Sequence, residues 1–553
     1  MDNLIADIIL NNANIFTATE KLEKFTAIAI KKDRIIHLGN ENDTLDFANE
    51  KTMVFDLKGK TVLPGFCDAH AHGVMGGRLV NHCLLSTGRT QDDYLKIILE
   101  YVKKHAKNSH IMGFGWAHAP FGPEGPHKEM LDRIIPDKPA AFLSIDYHSC
   151  WVNSAALKMA GIDSNTPDPR GGHLERGKDT NEPSGCLRES AAINMVLNQL
   201  PEPSDEDWQM AVKTYQKKAA KHGITGLFDA GILNHSQIRA FKAIQKLDQQ
   251  GGVKMRIAQS YVLDPENGPE QVDEVEKIIK EFAGGKNHQV RVAKIFMDGA
   301  IEGHTGFLLE PYADREGYFG KAVWPQEVFN NTVAELDKRG IQIHVHTIGD
   351  GAVRSALNGF EKAKLENGVR DARHAQAHIE LADENDIKRF ADMEIFASFQ
   401  PAWFYMDNNY YKETIPLLAA PRSDRRYMLK NFLDAGAPVA FGSDWPWGNV
   451  TSSMNPFDGI GTAVTRENPE DDALKPYESR QKIDLITALK RYTIGGATQN
   501  FNDKITGTLE VGKKADIAVL NENIFDVDQE ELFKLCVEMT LFDGEIVYKK
   551  DRN

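Results

Sequence analysis

The sequence predicts an α/β fold, a (β/α)8 TIM barrel carrying a small β-domain, and three observations lead there. Short apolar runs recur through the middle of the chain: TVLPGFCDAHAH, GITGLFDAG, KMRIAQSYV, VRVAKIFMDG, IQIHVHTIGD, ARHAQAHIEL, EIFASFQP and PVAFGSDWP. Several follow an amphipathic helix that stops on glycine, as in DWQMAVKTYQKKAAKHG, PQEVFNNTVAELDKRG and SDRRYMLKNFLDAG. No GxGxxG follows the first strand, which disfavours a doubly wound open sheet. Short buried strands alternating with helices favour the closed barrel.

The two ends differ from the middle. Residues 1–60 hold short alternating strands such as AIAIKKDRIIHLG, and residues 503–553 do the same in GTLEVGKKADIAVL and VEMTLFDGEIVYKK. Antiparallel pairing of both termini into one β-domain is expected, with residues 61–502 forming the barrel domain between them. Residues 73–203, after the first barrel strand, are too many for one loop and are expected to form an inserted lid.

Composition narrows the function. Apolar residues make up 41% and charged residues 26%, so wholesale disorder is excluded. The formal charge of −15 disfavours nucleic acid and anionic membranes as partners. The 5 cysteines are scattered and never spaced as CxxC, so neither a disulfide framework nor a zinc ribbon is expected. With no leader-like start and no run long enough to span a bilayer, a soluble cytoplasmic protein is expected.

The informative residues lie near predicted strand ends, where such barrels place their active sites. His70 and His72 stand two apart in DAHAH, on one face of a strand. Lys294 ends VRVAK, His346 lies in HVHTIGD, His378 in HAQAHIEL and Asp444 in FGSDWP. Taken singly each has a plainer reading. A lone HxH pair is often ordinary packing, a lone lysine snorkels or pairs, and Asp444 suits a helix N-cap. Spacing leaves His344 and His346 equally able to point inward. Their joint occurrence in strand order is what points to ligands for one or two divalent metals.

These residues, with GFGW (113–116), HSCWVNSAAL (148–157), NEPSGCLRES (181–190), KIFMDGA (294–300), HTIGD (346–350) and GSDWP (442–446), resemble the amidohydrolase superfamily. Within it the chain is similar to the YtcJ-like branch, amidohydrolase family 3, which includes N-substituted formamide deformylases. The likeness covers essentially the whole chain. NANIFTATEKLEKFTAIAIKKDRIIHLG and GTLEVGKKADIAVL resemble the superfamily's split β-sandwich, and LPGFCDAHAH its first-strand signature.

The resemblance implies roles. His70 and His72 match ligands of the more buried metal, and Lys294 a carboxylated lysine bridging two metal ions, with zinc expected. His346 rather than His344 matches a ligand, as do His378 and Asp444. Relatives often carry Glu before the sixth-strand histidine, whereas here Ala377 precedes His378. The implied activity is hydrolysis of a C–N bond in an amide, N-substituted formamide or carbamate. A metal-bound hydroxide would be the nucleophile and Asp444 the general base and acid.

Trp116, His148, Trp151 and Asn153 in the lid, with Gln400 and Trp403 in SFQPAWF, are candidate contacts for a small neutral substrate. No arginine cluster reads as an anion clamp. A homodimer is the commonest prior for the assembly. Two other readings stand beside the leading one: a mononuclear aminohydrolase acting on a heterocycle, and a non-catalytic binding protein on the same scaffold. The first would have no bridging lysine, and the second would be expected to lose ligands.

Overall fold

Eight parallel strands curl into a nearly closed barrel: β1 Phe66–Ala71, β2 Ile224–Asp229, β3 Arg256–Val262, β4 His288–Phe296, β5 Gln342–Thr347, β6 Ala375–His378, β7 Phe396–Phe399 and β8 Val439–Phe441. The computed structural model describes residues 5–551 apart from 22, 123, 146–148, 170–171, 178–179, 234–235, 406–413, 448–452, 470 and 472–473. Each strand pairs in parallel with the next, and the apolar faces are covered by outer helices.

The barrel closes between β8 and β1 through the end of β1 and the chain just past β8. The Asp444 amide donates to His70 O at 2.7 Å, and the His72 amide donates to Trp445 O at 2.8 Å. Gly442 permits this approach, because a Cβ there would stand 2.5 Å from the His70 nitrogen.

The helix Asp205–Lys221 shows how local sequence sets an element. Ser204 and Asp207 form a reciprocal capping box, Lys218 and Lys221 occupy the last turn, and Gly223 turns away at φ 75°. SDRRYMLKNFLDAG is not one helix. Only Leu429–Asp434 is α-helical, because Arg426 runs extended against Leu381 and buries its guanidinium beside Glu380 at 2.5 Å. Tyr427 then takes φ 52°, which a helix does not accommodate.

After β1 the chain leaves the barrel and builds a separate six-stranded sheet. Its strands, in spatial order, are His173–Arg176, Pro183–Arg188, Ser149–Val152, Ala140–Ser144, Ile111–Trp116 and Cys83–Leu84. Its two faces carry separate apolar cores.

The terminal strands form two sheets rather than one. Ile8–Asn11, Ala27–Lys31, Arg34–Gly39 and Met53–Asp56 make a four-stranded sheet from N-terminal residues alone. Asn14–Ile15 and Thr61–Pro64 join Ile517–Leu520, Val537–Phe542 and Glu545–Lys549 in a five-stranded sheet. Pairing is not purely antiparallel. Ile8–Asn11 runs parallel to Met53–Asp56, since a hairpin and a short helix lie between them in the chain. One apolar core, including Ile8, Ile28, Val62, Ile517 and Leu541, joins the two sheets. None of the five cysteines is in a disulfide. No described helix is long and apolar enough to cross a membrane.

Candidate active site

His70 lies on β1 and His72 just past its end, and both turn Nε2 toward Asp444. The Asp444 Oδ1 atom is 3.2 Å from His70 Nε2 and 3.7 Å from His72 Nε2. All three side chains are buried, and their donor atoms lie within 4.8 Å of one another. Among the described residues Asp444 caps no helix; the next described helix starts at Pro456 with Asn455 as its cap.

Neighbours fix which nitrogen each histidine presents. His72 Nδ1 donates to Gly231 O at 3.2 Å, and His378 Nδ1 donates to Gln400 Oε1 at 2.9 Å. His70 Nδ1 meets His344 Nε2 at 2.8 Å. In His72 and His378 this leaves the Nε2 lone pair free, and in His70 it does so when His344 Nε2 accepts the Nδ1 proton. Burial pulls the His72 imidazolium down to about 3, with the Lys294 charge adding to it. Burial also holds His70 and His378 well below the ordinary histidine value. These rings are neutral at pH 7, the form that ligates metal.

His346 and His378 stand beside this cluster with ring centres 4.5 Å apart, and His378 is 4.8 Å from His70. The Lys294 Nζ atom is buried on β4 with no hydrogen-bond partner, 4.8 Å from the Phe296 ring. Burial draws the Lys294 ammonium down to about 7, against the pull of Asp444. The Asp444 Oδ1 atom is likewise buried without a hydrogen bond. Orphan polar atoms and converging lone pairs are what a cation site presents before its ion. The residues present fit a divalent metal.

Backbone strain marks the same place. His378 sits at φ 76° and Asp444 at φ 53°, in the left-handed region that β-strand ends rarely visit.

The amidohydrolase family profile matches residues 53–548. The chain belongs to that family. It is therefore a hydrolase of the amidohydrolase fold. Its sequence is 29% identical to YtcJ of Bacillus subtilis, over 97% of this chain and 98% of that one. An N-substituted formamide deformylase of Arthrobacter pascens is 26% identical over 98% of both chains. The fold is that of a metal-dependent hydrolase from Pyrococcus horikoshii, at TM-score 0.76 and 22% identity, over 94% of this chain and 99% of the other.

Several acids that hold this amidohydrolase's site together escape sequence reasoning. Asp68 accepts the Ser443 amide at 2.9 Å and its hydroxyl at 2.5 Å, tying the GSDWP turn to β1. Asp298 accepts the Ile348 and Gly349 amides at 3.0 and 2.8 Å, and its Oδ1 lies 3.3 Å from His346 Nδ1. Asp229 accepts the Gly231 amide at 3.2 Å and so positions the carbonyl that orients His72. Each lies at a strand end or within three residues of one, the one signal the sequence offers.

The expected substrate contacts fare differently. Trp116 is fully buried in one core of the six-stranded sheet and donates to Phe142 O at 2.7 Å. Trp151 is buried there too. The Asn153 amide is spent beside the same sheet, accepting from Ala140 and Ala156 and donating to Ile135 and Lys138. Those three pack inside the segment that carries the six-stranded sheet, because aromatic and amide content does not say which side chains face inward. Gln400 is buried and holds His378 rather than facing solvent. Trp403 stacks on His378 and keeps part of its surface exposed. His148 lies outside the described residues.

Proposed function

We propose that the chain is a metal-dependent hydrolase of C–N bonds in small neutral amides, N-substituted formamides or carbamates. One observation carries this reading: His70 Nε2, His72 Nε2 and Asp444 Oδ1 meet in one buried cluster. Converging lone pairs repel unless a cation stands among them, and neutral imidazole with carboxylate oxygen suits zinc. We assign His70, His72 and Asp444 to one ion, His346 and His378 to a second, and Lys294 to both. The buried, unpartnered Nζ supports conversion of Lys294 to a carbamate. In that step the ammonium gives up one proton, the free amine adds to carbon dioxide with loss of a second, and a cationic side chain becomes anionic.

A bound divalent ion supplies the acidity that makes water a nucleophile at neutral pH and polarises the scissile carbonyl. The Asp444 carboxylate accepts a proton from the attacking water and returns it to the departing nitrogen. A C–O bond forms at the carbonyl carbon, the C–N bond breaks, and a carboxylate and an amine leave. Gly231, His344 and Gln400 keep the histidine rings aimed, so little reorganisation is needed. Residues 73–203 serve as the lid, and residues 1–60 with 503–553 as one β-domain.

The name of the deformylase relative supports the choice of bond. The test is metal analysis joined to a hydrolysis screen of N-substituted formamides, anilides, carbamates and cyclic ureas. Amine release that stops with a chelator and returns with zinc is expected. Ammonia release from heterocycles alone would favour the mononuclear aminohydrolase. No turnover by fully metallated protein would leave the binding-protein reading.

A further inference from the structure

Arg466 is a fully buried guanidinium with no carboxylate at ion-pair distance among the described residues. Burial draws it down to about 10, so it stays charged at pH 7. It closes the helix Pro456–Thr465 at φ 61°, and its Nε and Nη2 donate to Tyr477 O at 3.0 Å and Tyr427 O at 3.2 Å. Its Nη1 has no hydrogen-bond partner. The helix end and the Phe404 ring, 4.9 Å from the guanidinium carbon, offset part of the cost of such a charge. The segments that Arg466 grips lead to one place. Phe404 closes the short turn Pro401–Trp403, and the Trp403 ring stacks on His378, centres 5.4 Å apart and planes 4° from parallel. Tyr427 stacks on Phe404 at 4.6 Å, and its amide donates at 2.8 Å to Glu380 O, two residues past His378. His378 and Ile379 are both left-handed, at φ 76° and 47°. A β-branched residue holds that conformation only where its surroundings impose it.

We propose that Arg466 is a positioning residue for His378, clamping the Trp403–Phe404 turn against the imidazole and the Tyr427 segment against the left-handed turn that carries it. The inference rests on the reading of His378 as a metal ligand. Without the guanidinium, Phe404 loses the charge over its ring and Tyr427 O loses its donor. The turn at His378–Ile379 then relaxes toward ordinary backbone, the imidazole leaves Trp403, and its Nε2 no longer points where the ion binds. Arg426, 2.5 Å from Glu380, holds the same turn from its other side, so the loss is partial.

Cobalt(II) is the probe, because its visible spectrum reports the ligand shell while titration gives affinity. Arg466→Met should bind cobalt about tenfold less tightly than wild type, with an altered visible band. Arg466→Lys, which keeps the charge and a donor for one carbonyl, should recover most of that loss. Arg256→Met breaks a buried pair at the start of β3 and serves as the control for stability alone. It should lower the urea midpoint and leave cobalt affinity as in wild type. Crystal structures of metal-free wild type and Arg466→Met should differ at His378, whose ring leaves Trp403 in the variant. A ring that stays stacked there would overturn the clamp. So would cobalt affinity within about twofold of wild type in Arg466→Met while His378→Ala weakens it about tenfold or more. His378→Ala checks the ligand reading by itself. Unchanged cobalt affinity in that variant would sink the ligand role of His378, and a displaced ring in Arg466→Met would still leave the clamp standing.

Discussion

His70 Nδ1 and His344 Nε2 lie 2.8 Å apart, so the one histidine of HVH that spacing could not place supports another ring. His344 is fully buried, with its ring stacked on Phe228 at 4.2 Å. Its Nε2 can accept the His70 Nδ1 proton, the tautomer that keeps the His70 Nε2 lone pair toward Asp444. Replacing His344 with Leu should weaken metal affinity about 10–100-fold, as lost outer contacts to ligands generally do. Competition with a chromophoric chelator measures this. Unchanged affinity would reduce His344 to packing.

Asp444 tests the proton path. Asp444→Asn keeps size and one oxygen but cannot take up a proton. A fall in kcat of about 10²–10⁴-fold is expected, with a much smaller change in substrate affinity. Metal content must be measured on the same sample, because lost occupancy would mimic the effect. Near wild-type kcat in fully metallated variant would make Asp444 a ligand only.

The barrel and its polar strand ends were legible because strand period and helix stops repeat, and such barrels place chemistry at one rim. His70, His72, Lys294, His346, His378 and Asp444 could therefore be nominated from spacing and resemblance together. The acids that anchor the turns were not legible. Asp68 and Asp298 sit in the same motifs as the ligands, but their amide partners at Ser443, Ile348 and Gly349 lie 50 or more residues away. Trp116 and Trp403 look alike in sequence, and only packing separates the core of the six-stranded sheet from a barrel mouth. The helix expected over residues 423–436 fails for a similar reason. The Glu380–Arg426 pair, which diverts that backbone, joins two distant segments.

His288 makes a prediction about acid stability. It opens β4, fully buried, with neither ring nitrogen hydrogen-bonded. Burial pulls its imidazolium down to about 3 in the folded chain. The unfolded chain takes up that proton near 6.5, so between pH 6.5 and 3 it holds one more proton than the folded chain. Stability from this group is complete above pH 6.5 and falls by about 1.4 kcal/mol per unit as the pH drops toward 3. His288→Leu should flatten that slope, read as the difference between variant and wild type in urea unfolding at pH 7 and pH 5. Parallel slopes would remove His288 from the acid response.

Arg256 tests how the terminal sheets are held to the barrel. It lies on β3 with its side chain 8% exposed, and its Nε is 2.8 Å from Asp516 Oδ2. Its Nη2 is 2.5 Å from Asp543 Oδ1. The partners differ in what they lose if the guanidinium goes. Asp543 keeps Lys514 at 3.4 Å and Lys286 at 3.5 Å, whereas Asp516 is sealed from solvent and pairs with no other cation among the described residues. Arg256→Met should therefore destabilise the chain by about 3–5 kcal/mol, most of it the cost of an uncompensated carboxylate. Adding Asp516→Asn should recover part of the loss, because the amide removes the charge and keeps an oxygen for the Asp543 amide, now 2.9 Å from Asp516 Oδ1. Urea unfolding of both variants decides the matter. If the terminal sheets dock through this joint, the single variant should melt them before the barrel. A loss under about 1 kcal/mol, below the range for a broken buried pair, would place the attachment in the apolar contacts around Phe66 and Ala518 instead.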